Sequence, residues 1–328
     1  MRAGKAVEYD RFGGAEELHF VEQVRPTPGP DEVVIEVVAA ALNHMDEYVR
    51  RGDFADEVPI AFPARQGSCF AGIVRARGSA VRSLSVGQAV LGHDPRHAAH
   101  ASYVTVPVGA VVPKPESVPW EVAGALYLAG TTGYTIVQSL RLGPDDTVVI
   151  SAAAGGVGHI EAQLARLAGA LVIGIAGEDN QDYLRSIGAK AVLHGEGLEQ
   201  RIRDAAQGRP VTAFIDNYAG YEDLAEALGV PRQRFVPSAK RREVELRFYN
   251  APGDDPEVRI VLGDLVELIA TWGLRVLISG FYAFDQLPEA IAELDQRHSR
   301  GKVLVGMHTS APASSYLGQR TRFFKPAA

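Results

Sequence analysis

The stretch best suited to chemistry is 147–158, where a short β-branched run is followed by small residues and glycines. Val148, Val149 and Ile150 predict a buried strand, and apolar spacing of three to four residues after Gly158 predicts a helix. Small residues let the backbone approach an anion, while free N–H groups and the dipole at a helix N-terminus face that anion. The stretch therefore predicts a cradle for the diphosphate of a dinucleotide.

The glycine pattern of this cradle is imperfect. Ala153 stands at the first glycine position of the G-x-G-x-x-G fingerprint, with Gly155 and Gly158 at the other two. Such a pattern alone is weak evidence, because many glycine turns bind nothing. A second apolar run at 171–175 follows directly and completes a strand–helix–strand unit. This context favours dinucleotide binding.

Composition limits the class of protein. The chain has 328 residues, 46% of them hydrophobic, which is enough for two domains. A net charge of −7 with interspersed signs argues against nucleic acid or an anionic membrane as partner. Cys69 is the only cysteine, and no apolar run suggests a membrane span or a signal peptide. We expect a cytoplasmic protein that acts on a small-molecule substrate.

Two kinds of pattern divide the chain. Up to residue 121, short alternating or β-branched runs separated by Pro and Gly turns predict an antiparallel, barrel-like domain. From 122 to 272, strands alternate with helices, which predicts a doubly wound parallel sheet that binds ligands at the carboxyl ends of its strands. Residues 243–248 alternate strictly between polar and apolar side chains and predict a strand at the sheet edge. Residues 309–328 show no periodicity and are interpreted as a tail.

Six separated motifs give the chain a family resemblance. They are PGPDEV at 28–33, NHMDEYVRRG at 43–52, AGIV at 71–74, LAGTTGY at 128–134, AAGGVG at 153–158 and RGKVLV at 300–305. In this order they resemble the zinc-independent quinone oxidoreductase group of the medium-chain dehydrogenase/reductase superfamily. The resemblance extends to about residue 306.

The resemblance implies an architecture and an assembly. We expect a Rossmann domain, with its doubly wound parallel sheet, at 122–272, inserted in a GroES-like, mainly antiparallel β catalytic domain at 1–121 and 273–328. The active site is expected in the cleft between them. Strand 243–249 is expected to pair with its copy in a homodimer, which would cover an exposed sheet edge.

The resemblance also assigns site residues. Asn43 and Asp46 are expected to shape the nicotinamide side of the site and to hold the loop, with Asp46 as a general base the less favoured role. Tyr48 lines the substrate pocket, either as a hydrogen-bond and proton donor or as a wall of the pocket. The residues expected to contact the cofactor are Thr132, Ala154, Gly155, Gly156, Val157, Gly177, Asn180, His194, Asn217, Ser238 and Lys302.

Zinc is not expected. The alcohol dehydrogenase branch of the superfamily has a cysteine where Asn43 stands and a histidine where Ser68 stands, and catalytic zinc needs three protein ligands. Without a metal, hydride transfer suits a quinone or an α,β-unsaturated carbonyl compound, whose developing oxyanion hydrogen-bond donors can stabilise. Phe54, where enoyl reductases often carry a tyrosine, weakens a fatty enoyl-thioester substrate. His100 is interpreted as either lining the site or structural.

The cofactor pattern is mixed, and NAD(P)H is predicted with NADPH slightly favoured. Glu178 and Asp179 lie about 20 residues after the cradle, as in NAD-binding chains. His194 and the basic run 240–242 can instead supply positive charge to a 2′-phosphate.

Three alternatives stay open at this point. One is an alcohol or ketone dehydrogenase of the same superfamily, and another is a specialised relative from secondary metabolism. The third is a nucleotide-binding protein with weak or no redox turnover.

Overall fold

The computed structural model describes residues 4–297 and 299–307, so the predicted tail at 309–328 lies outside the described residues. The described chain divides into two compact units. Unit 1 contains the described residues up to Leu128, Arg247–Gly273 and those from Ile278 onward. Unit 2 contains Ala129–Leu246 and Leu274–Leu277.

The chain forms mostly strands at first and then alternates strands with helices. The strands are β1 (Gly4–Tyr9), β2 (His19–Gln23), β3 (Glu32–Leu42), β4 (Ala64–Arg65), β5 (Cys69–Arg77), β6 (Ala89–His93), β7 (Tyr103–Pro107), β8 (Val111–Pro113), β9 (Thr147–Ile150), β10 (Leu171–Ala176), β11 (Lys190–Leu193), β12 (Ala213–Ile215), β13 (Phe235–Val236), β14 (Ile278–Ala283) and β15 (Lys302–Gly306). The α-helices are α1 (His44–Arg51), α2 (Trp120–Ala125), α3 (Tyr127–Leu140), α4 (Gly158–Leu167), α5 (Gln181–Ser186), α6 (Leu198–Ala206), α7 (Glu222–Ala227), α8 (Ser238–Tyr249), α9 (Pro256–Trp272) and α10 (Leu287–Asp295).

Unit 1 is built on two sheets that are mainly antiparallel. The larger has seven strands in the order β14-β15-β3-β5-β6-β8, with β7 also paired to β3, and only β14 and β15 run parallel. The smaller has the order β2-β1-β4. The long strand β3 is almost continuously apolar, and Ile35, Val37 and Phe70 are fully buried in the core with Val305 of the last strand. The predicted antiparallel domain is confirmed.

Unit 2 contains a five-stranded parallel sheet in the order β11-β10-β9-β12-β13. After β9, the chain adds β10 and β11 on one side of β9 and then β12 and β13 on the other side. The short apolar strands are buried on both faces, as parallel sheets require. This arrangement places the switch in strand order between β9 and β12, where doubly wound sheets bind their ligands. The predicted doubly wound fold is confirmed.

The predicted edge strand at 243–249 is wrong, because these residues belong to helix α8. Residues 239–247 are mostly strong helix formers, and Arg241 pairs with Glu245 at i,i+4 spacing. The buried positions Glu245, Phe248 and Tyr249 recur at helical spacing and not at the period of two on which the strand prediction depended. The described residues therefore offer no strand at 243–249 for pairing across a two-fold axis, and homodimer formation itself stays a prediction.

The boundary of the nucleotide unit also differs from the predicted 122–272. The segment Arg247–Gly273 belongs to unit 1, where α9 packs beside β8. The backbones approach closely beside this segment, since a Cβ on Gly109 would lie 2.6 Å from the carbonyl oxygen of Gly253. Asp255 begins α9 by accepting a hydrogen bond from the N–H of Glu257 at 2.9 Å.

Candidate functional site

The predicted cradle in unit 2 connects the end of β9 to the start of α4. The N–H of Gly155 donates to the carbonyl of Ala152 at 2.9 Å, and Ala152 has a left-handed backbone (φ 46°), so the chain turns sharply. Within the described residues, the N–H groups of Gly156, Val157 and Gly158 donate no hydrogen bond to protein. Three free donors at a helix N-terminus are the arrangement that a phosphate group needs.

Two features hold the cradle in shape. Gly158 has no space for a side chain, because a Cβ would lie 2.4 Å from the carbonyl oxygen of Ala152. His159 Nδ1 lies 2.7 Å from the carbonyl oxygen of Gly155, and its Nε2 lies 3.1 Å from the N–H of Leu277. Nδ1 therefore donates while Nε2 accepts, so His159 supports the turn as a neutral imidazole.

A polar network joins the carboxyl ends of β9 and β12. The Ser151 hydroxyl donates to Asp216 Oδ1 at 2.7 Å and accepts from the N–H of Asn217 at 2.8 Å. Asp216 also accepts from the backbone N–H groups of Tyr218 and Ala219, so it fixes the loop after β12. Predicted residue Asn217 is thereby held beside Ser151, the residue directly before the cradle turn that begins at Ala152.

Sequence reasoning missed Glu161, which contacts this network from α4. Its carboxylate is fully buried, and its Oε2 accepts from Asn217 Nδ2 at 2.5 Å. Burial is the largest cause that raises the pKa of Glu161, to about 7. The available signal was an acidic residue on a helix face that otherwise carries apolar and small residues.

Other predicted cofactor residues lie at the ends of neighbouring strands. Gly177 follows β10, and its Cβ position is 3.9 Å from Nε2 of the exposed His194, which follows β11. Asn180 closes the short turn after Gly177 by donating its N–H to the Gly177 carbonyl at 3.1 Å. These residues form a second group, at the side of the sheet where strand order runs outward from β9.

Two predicted residues of this unit lie on helices. Thr132 on α3 is fully buried, and its hydroxyl has no partner among the described residues. Ser238 is the first residue of α8 and is half-buried. A buried hydroxyl without a protein partner is uncommon, and strain, a functional role or a bound water or ion accounts for such groups.

In unit 1, the predicted residues Asn43, Asp46 and Lys302 form one buried cluster. Asp46 Oδ2 accepts from the backbone N–H of Asn43 at 2.9 Å, which caps α1. Lys302 Nζ donates to Asn43 Oδ1 at 2.5 Å and to the carbonyl of Leu42 at 3.1 Å. The Asn43 amide nitrogen lies 3.4 Å from Cys69 Sγ. Lys302, predicted for the cofactor, therefore orients the Asn43 amide in this structure.

The charge of Asp46 also changes the pKa of neighbouring side chains. Its second oxygen, Oδ1, is buried without a hydrogen-bond partner among the described residues. Burial raises the pKa of Tyr249 well above its usual value, and the negative charge of Asp46 adds to that rise. The same charge partly offsets the effect of burial on His97, whose pKa is lowered. A carboxylate in this setting orders the groups around it.

Tyr48 lies on α1 and is half-buried. Its ring is near His44, with centroids 6.4 Å apart, and near Phe54, with centroids 6.2 Å apart. Helix α1 thus carries Asp46 in its first turn and Tyr48 one half-turn further. Phe54 supplies an aromatic wall without a hydroxyl.

Three side chains that sequence reasoning did not assign bind three carbonyls of the segment 248–251. Tyr127 donates to Phe248 at 2.7 Å, His97 Nε2 lies 2.9 Å from the Tyr249 oxygen, and His93 Nε2 lies 3.2 Å from the Ala251 oxygen. The rings stack in pairs, His93 on Tyr127 at 4.4 Å and His97 on Tyr249 at 4.1 Å. We call these three side chains the 248–251 clamp.

His100, left open between two roles, is structural. It is 1% exposed, its Nε2 lies 3.0 Å from the carbonyl oxygen of Ala41, and its Nδ1 lies 3.2 Å from Gln66 Nε2. Burial lowers its pKa, so the ring stays neutral and joins β3 to the loop at Gln66.

Unit 1 also contains a cavity of about 860 Å³. Charged side chains, among them Glu8, Glu22, Arg65 and Arg96, line it together with the apolar residues Val58 and Ile60. The described residues that line it do not include Asn43, Asp46 or Tyr48. The cavity is therefore separate from the predicted catalytic residues.

Two features of the described residues bear on metal and membrane binding. Within 4–297 and 299–307, no group of three or more His, Cys, Asp or Glu side chains is placed to hold a metal ion. In the same ranges, none of the helices has the length and hydropathy needed to cross a bilayer.

Comparison with known proteins agrees with this fold. The model of the alcohol dehydrogenase GroES-like domain matches residues 29–116. The chain is 33% identical to the chloroplastic quinone-oxidoreductase homolog of Spinacia oleracea over 71% of each chain. It is 29% identical to the quinone oxidoreductase of Salmonella typhimurium over 91% of this chain and 89% of that one. The structure of the quinone oxidoreductase from Coxiella burnetii aligns with a TM-score of 0.78 at 26% identity, over 93% of this chain and 99% of that chain.

A GroES-like unit and a doubly wound unit with a phosphate cradle together define the medium-chain dehydrogenase/reductase superfamily. Within that superfamily, the chain belongs to the quinone oxidoreductase-like group.

Proposed function

We propose that this protein is an NAD(P)H-dependent oxidoreductase that transfers hydride to a quinone or to an α,β-unsaturated carbonyl compound. The observation that carries the proposal is the cradle. It has three free N–H groups at the start of α4, and at Gly158 there is no room for a Cβ. Its relatives include several quinone oxidoreductases, which supports the class of acceptor.

The cradle residues fit a dinucleotide. The backbone of Ala154, Gly155, Gly156 and Val157 would hold the diphosphate, with the dipole of α4 adding to the attraction. When bound, the nicotinamide nucleotide supplies the hydride. The protein then has to bind the nucleotide, orient it and exclude water. In unit 2, Asn217 and the buried Thr132 are the side chains suited to orient the nucleotide.

The residues around Asn43 do not suit zinc. An amide stands where a thiolate ligand would be needed, and Lys302 Nζ is 2.5 Å from its oxygen. The positive charge of Lys302 also acts on Cys69, where it opposes the rise in pKa that burial causes. A dication at this place would meet that amine, so we propose chemistry without zinc, in which protein hydrogen-bond donors stabilise the acceptor's oxygen.

Tyr48 is the donor we propose for that oxygen. It lies on the same helix as Asp46, and its ring packs near Phe54 and His44, so its hydroxyl is borne on a rigid element. Asn43 and Asp46 hold the start of α1, and Lys302 orients the Asn43 amide.

NADPH is proposed slightly ahead of NADH. His194 lies close to Gly177, where it can supply positive charge to a 2′-phosphate. Glu178 and Asp179 beside it are exposed and favour a ribose hydroxyl instead. The basic run adds less than expected, because Lys240 pairs with Glu243 and Arg241 with Glu245. A homodimer and a cytoplasmic location also remain proposals.

The test is oxidation of NADPH and NADH, followed by absorbance, with a panel of benzoquinones, naphthoquinones and enones, and with simple ketones in parallel. We expect turnover with quinones or enones that an added chelator does not change. Chelator-sensitive turnover with ketones alone would support an alcohol or ketone dehydrogenase. Nucleotide binding without turnover on the whole panel would instead support a binding protein.

A further inference from the structure

A buried carboxylate lies behind the nucleotide cradle. Glu161 is in the first turn of α4, three residues after Gly158, and is fully buried. Its Oε2 accepts from Asn217 Nδ2, whereas its Oε1 has no hydrogen-bond partner among the described residues. The absence of a side chain on Gly133 leaves room for it, because a Cβ there would lie 3.2 Å from Glu161 Cγ.

This carboxylate determines how the Asn217 amide is turned. Asn217 Nδ2 donates both to Glu161 Oε2 at 2.5 Å and to the carbonyl of Ser151 at 3.2 Å. Because both neighbours are acceptors, the nitrogen must face them and the oxygen must face away. Asn217 Oδ1 accordingly has no partner among the described residues. It is an acceptor at the carboxyl end of β12, next to the strand that carries the cradle.

We propose that Glu161 is a positioning residue for nucleotide binding, whose ionised carboxylate holds Asn217 with Oδ1 presented to a hydroxyl or amide donor of the bound dinucleotide. The proposal rests on the proposed function, since it takes the dinucleotide as ligand of the cradle. An acceptor at this position cannot bind a phosphate, but it suits the ribose hydroxyls and the carboxamide on either side of the diphosphate.

Protonation of Glu161 weakens this hold. A protonated carboxyl still accepts through one oxygen, but it is neutral, and its O–H can also donate to Asn217 Oδ1, so both orientations of the amide become available. Burial raises the pKa of Glu161 to about 7, the hydrogen bond from Asn217 and the charge of Arg241 oppose that rise, and the charge of Glu245 adds to it. Arg241 and Glu245, both on α8, pair with each other at 2.6 Å.

The direction of the pH effect follows. If the ionised form alone held Oδ1 toward the ligand, the apparent affinity would scale with the ionised fraction, which for a pKa of about 7 falls from about 0.9 near pH 8 to about 0.1 near pH 6. About tenfold is therefore the upper bound, and we expect the Kd to rise several-fold on acidification. A carboxylate that merely repelled the negative diphosphate would give the opposite sign, with tighter binding at low pH.

The experiment measures the Kd of NADPH and of NADH by calorimetry, between about pH 5.5 and 8.5, for the wild type and four variants. NADH is included because it has no 2′-phosphate that titrates in this range. In Glu161→Gln, the side chain is a neutral acceptor at every pH, so we expect the affinity that the wild type has at low pH, without the pH dependence. In Glu161→Ala and in Asn217→Ala, we expect weaker binding at every pH and a flat profile. Glu226→Gln, at an exposed position of α7, is the matched control and should follow the wild type.

Several results would overturn the inference. They are a wild-type Kd that does not change with pH, a Kd that falls on acidification, or a Glu161→Gln variant that keeps the wild-type profile. A loss of thermal stability in Glu161→Ala with unchanged Kd would show a purely structural role and also refute it. Failure of every protein to bind either nucleotide at any pH would overturn the proposed function itself, and this inference with it.

Discussion

His93 of the 248–251 clamp gives the most quantitative prediction. The ring is 1% exposed and stacks on Tyr127, and burial lowers its pKa from 6.5 to about 4, partly offset by the hydrogen bond to Ala251. The folded protein therefore holds a neutral ring down to about pH 4, whereas the unfolded chain takes up a proton near pH 6.5. Stability from this residue is complete above pH 6.5 and is lost as the pH falls toward 4.

The size of the effect follows from the two values. At about 1.36 kcal/mol for each pKa unit, the difference between 6.5 and about 4 corresponds to about 3 kcal/mol of unfolding free energy. We expect His93→Gln to lose that part of the pH dependence. Its amide can still donate to the Ala251 carbonyl, so the variant is expected to be about 1–2 kcal/mol less stable at neutral pH through the lost ring stacking.

The assay is urea unfolding at about pH 7.5 and about pH 4.5, with stabilities compared by linear extrapolation. Trp120 and Trp272 both lie in unit 1, so tryptophan fluorescence reports on the unit that contains His93. Subtracting the variant from the wild type removes the contributions of His97 and His100. The same substitution at the exposed His19 should leave the wild-type pH dependence intact. Parallel pH profiles for wild type and His93→Gln would refute the reasoning, because burial would then not exclude the protonated ring.

Three further predictions concern the site. In Gly156→Asp, a carboxylate about 5 Å from the diphosphate costs about 3 kcal/mol per charge pair at an effective dielectric of about 20, so the nucleotide Kd should rise at least about 100-fold. Gly263→Asp, at an exposed position of α9, is the control. Unchanged affinity in Gly156→Asp would show that the cradle is misplaced. Tyr48→Phe should lower kcat at least about tenfold with little change in nucleotide Kd; equal kcat would make Tyr48 a pocket wall. His194→Ala should weaken NADPH about fivefold, as expected for one exposed charge, and leave NADH unchanged; an equal effect on both nucleotides would remove His194 from 2′-phosphate recognition.

The parts of the fold that were predictable from sequence depend on local patterns. The cradle was found because strand, turn and helix N-terminus are contiguous at 147–167, and burial of β9 on both faces follows from its β-branched residues. Asn43 and Asp46 were singled out through a motif, and their role in the site stays a prediction. The hydrogen bond between them, which caps α1, spans only three positions in sequence.

The features that the sequence did not predict depend mostly on contacts between residues far apart in the chain. His93 and Ala251 are 158 positions apart, and neither lies in a pattern that points to the other. Glu161 is an acidic residue on an apolar face, and only Asn217, 56 positions away, explains its burial. The strand prediction at 243–249 failed because strict alternation competed with strong helix propensity and an i,i+4 ion pair, and α8 shows that the latter prevailed.

The bond between Lys302 and Asn43 has a consequence for how the protein is made. The two residues are 259 positions apart, and β15 completes the sheet that β3 begins. At about 5–20 residues per second of synthesis, Asn43 leaves the ribosome roughly 10–50 s before Lys302 is added. The nucleotide unit, nearly contiguous at Ala129–Leu246, is complete in the chain before then. The growing polypeptide therefore has unit 2 ready to fold while the large sheet of unit 1 still lacks β15, the strand that joins β14 to β3.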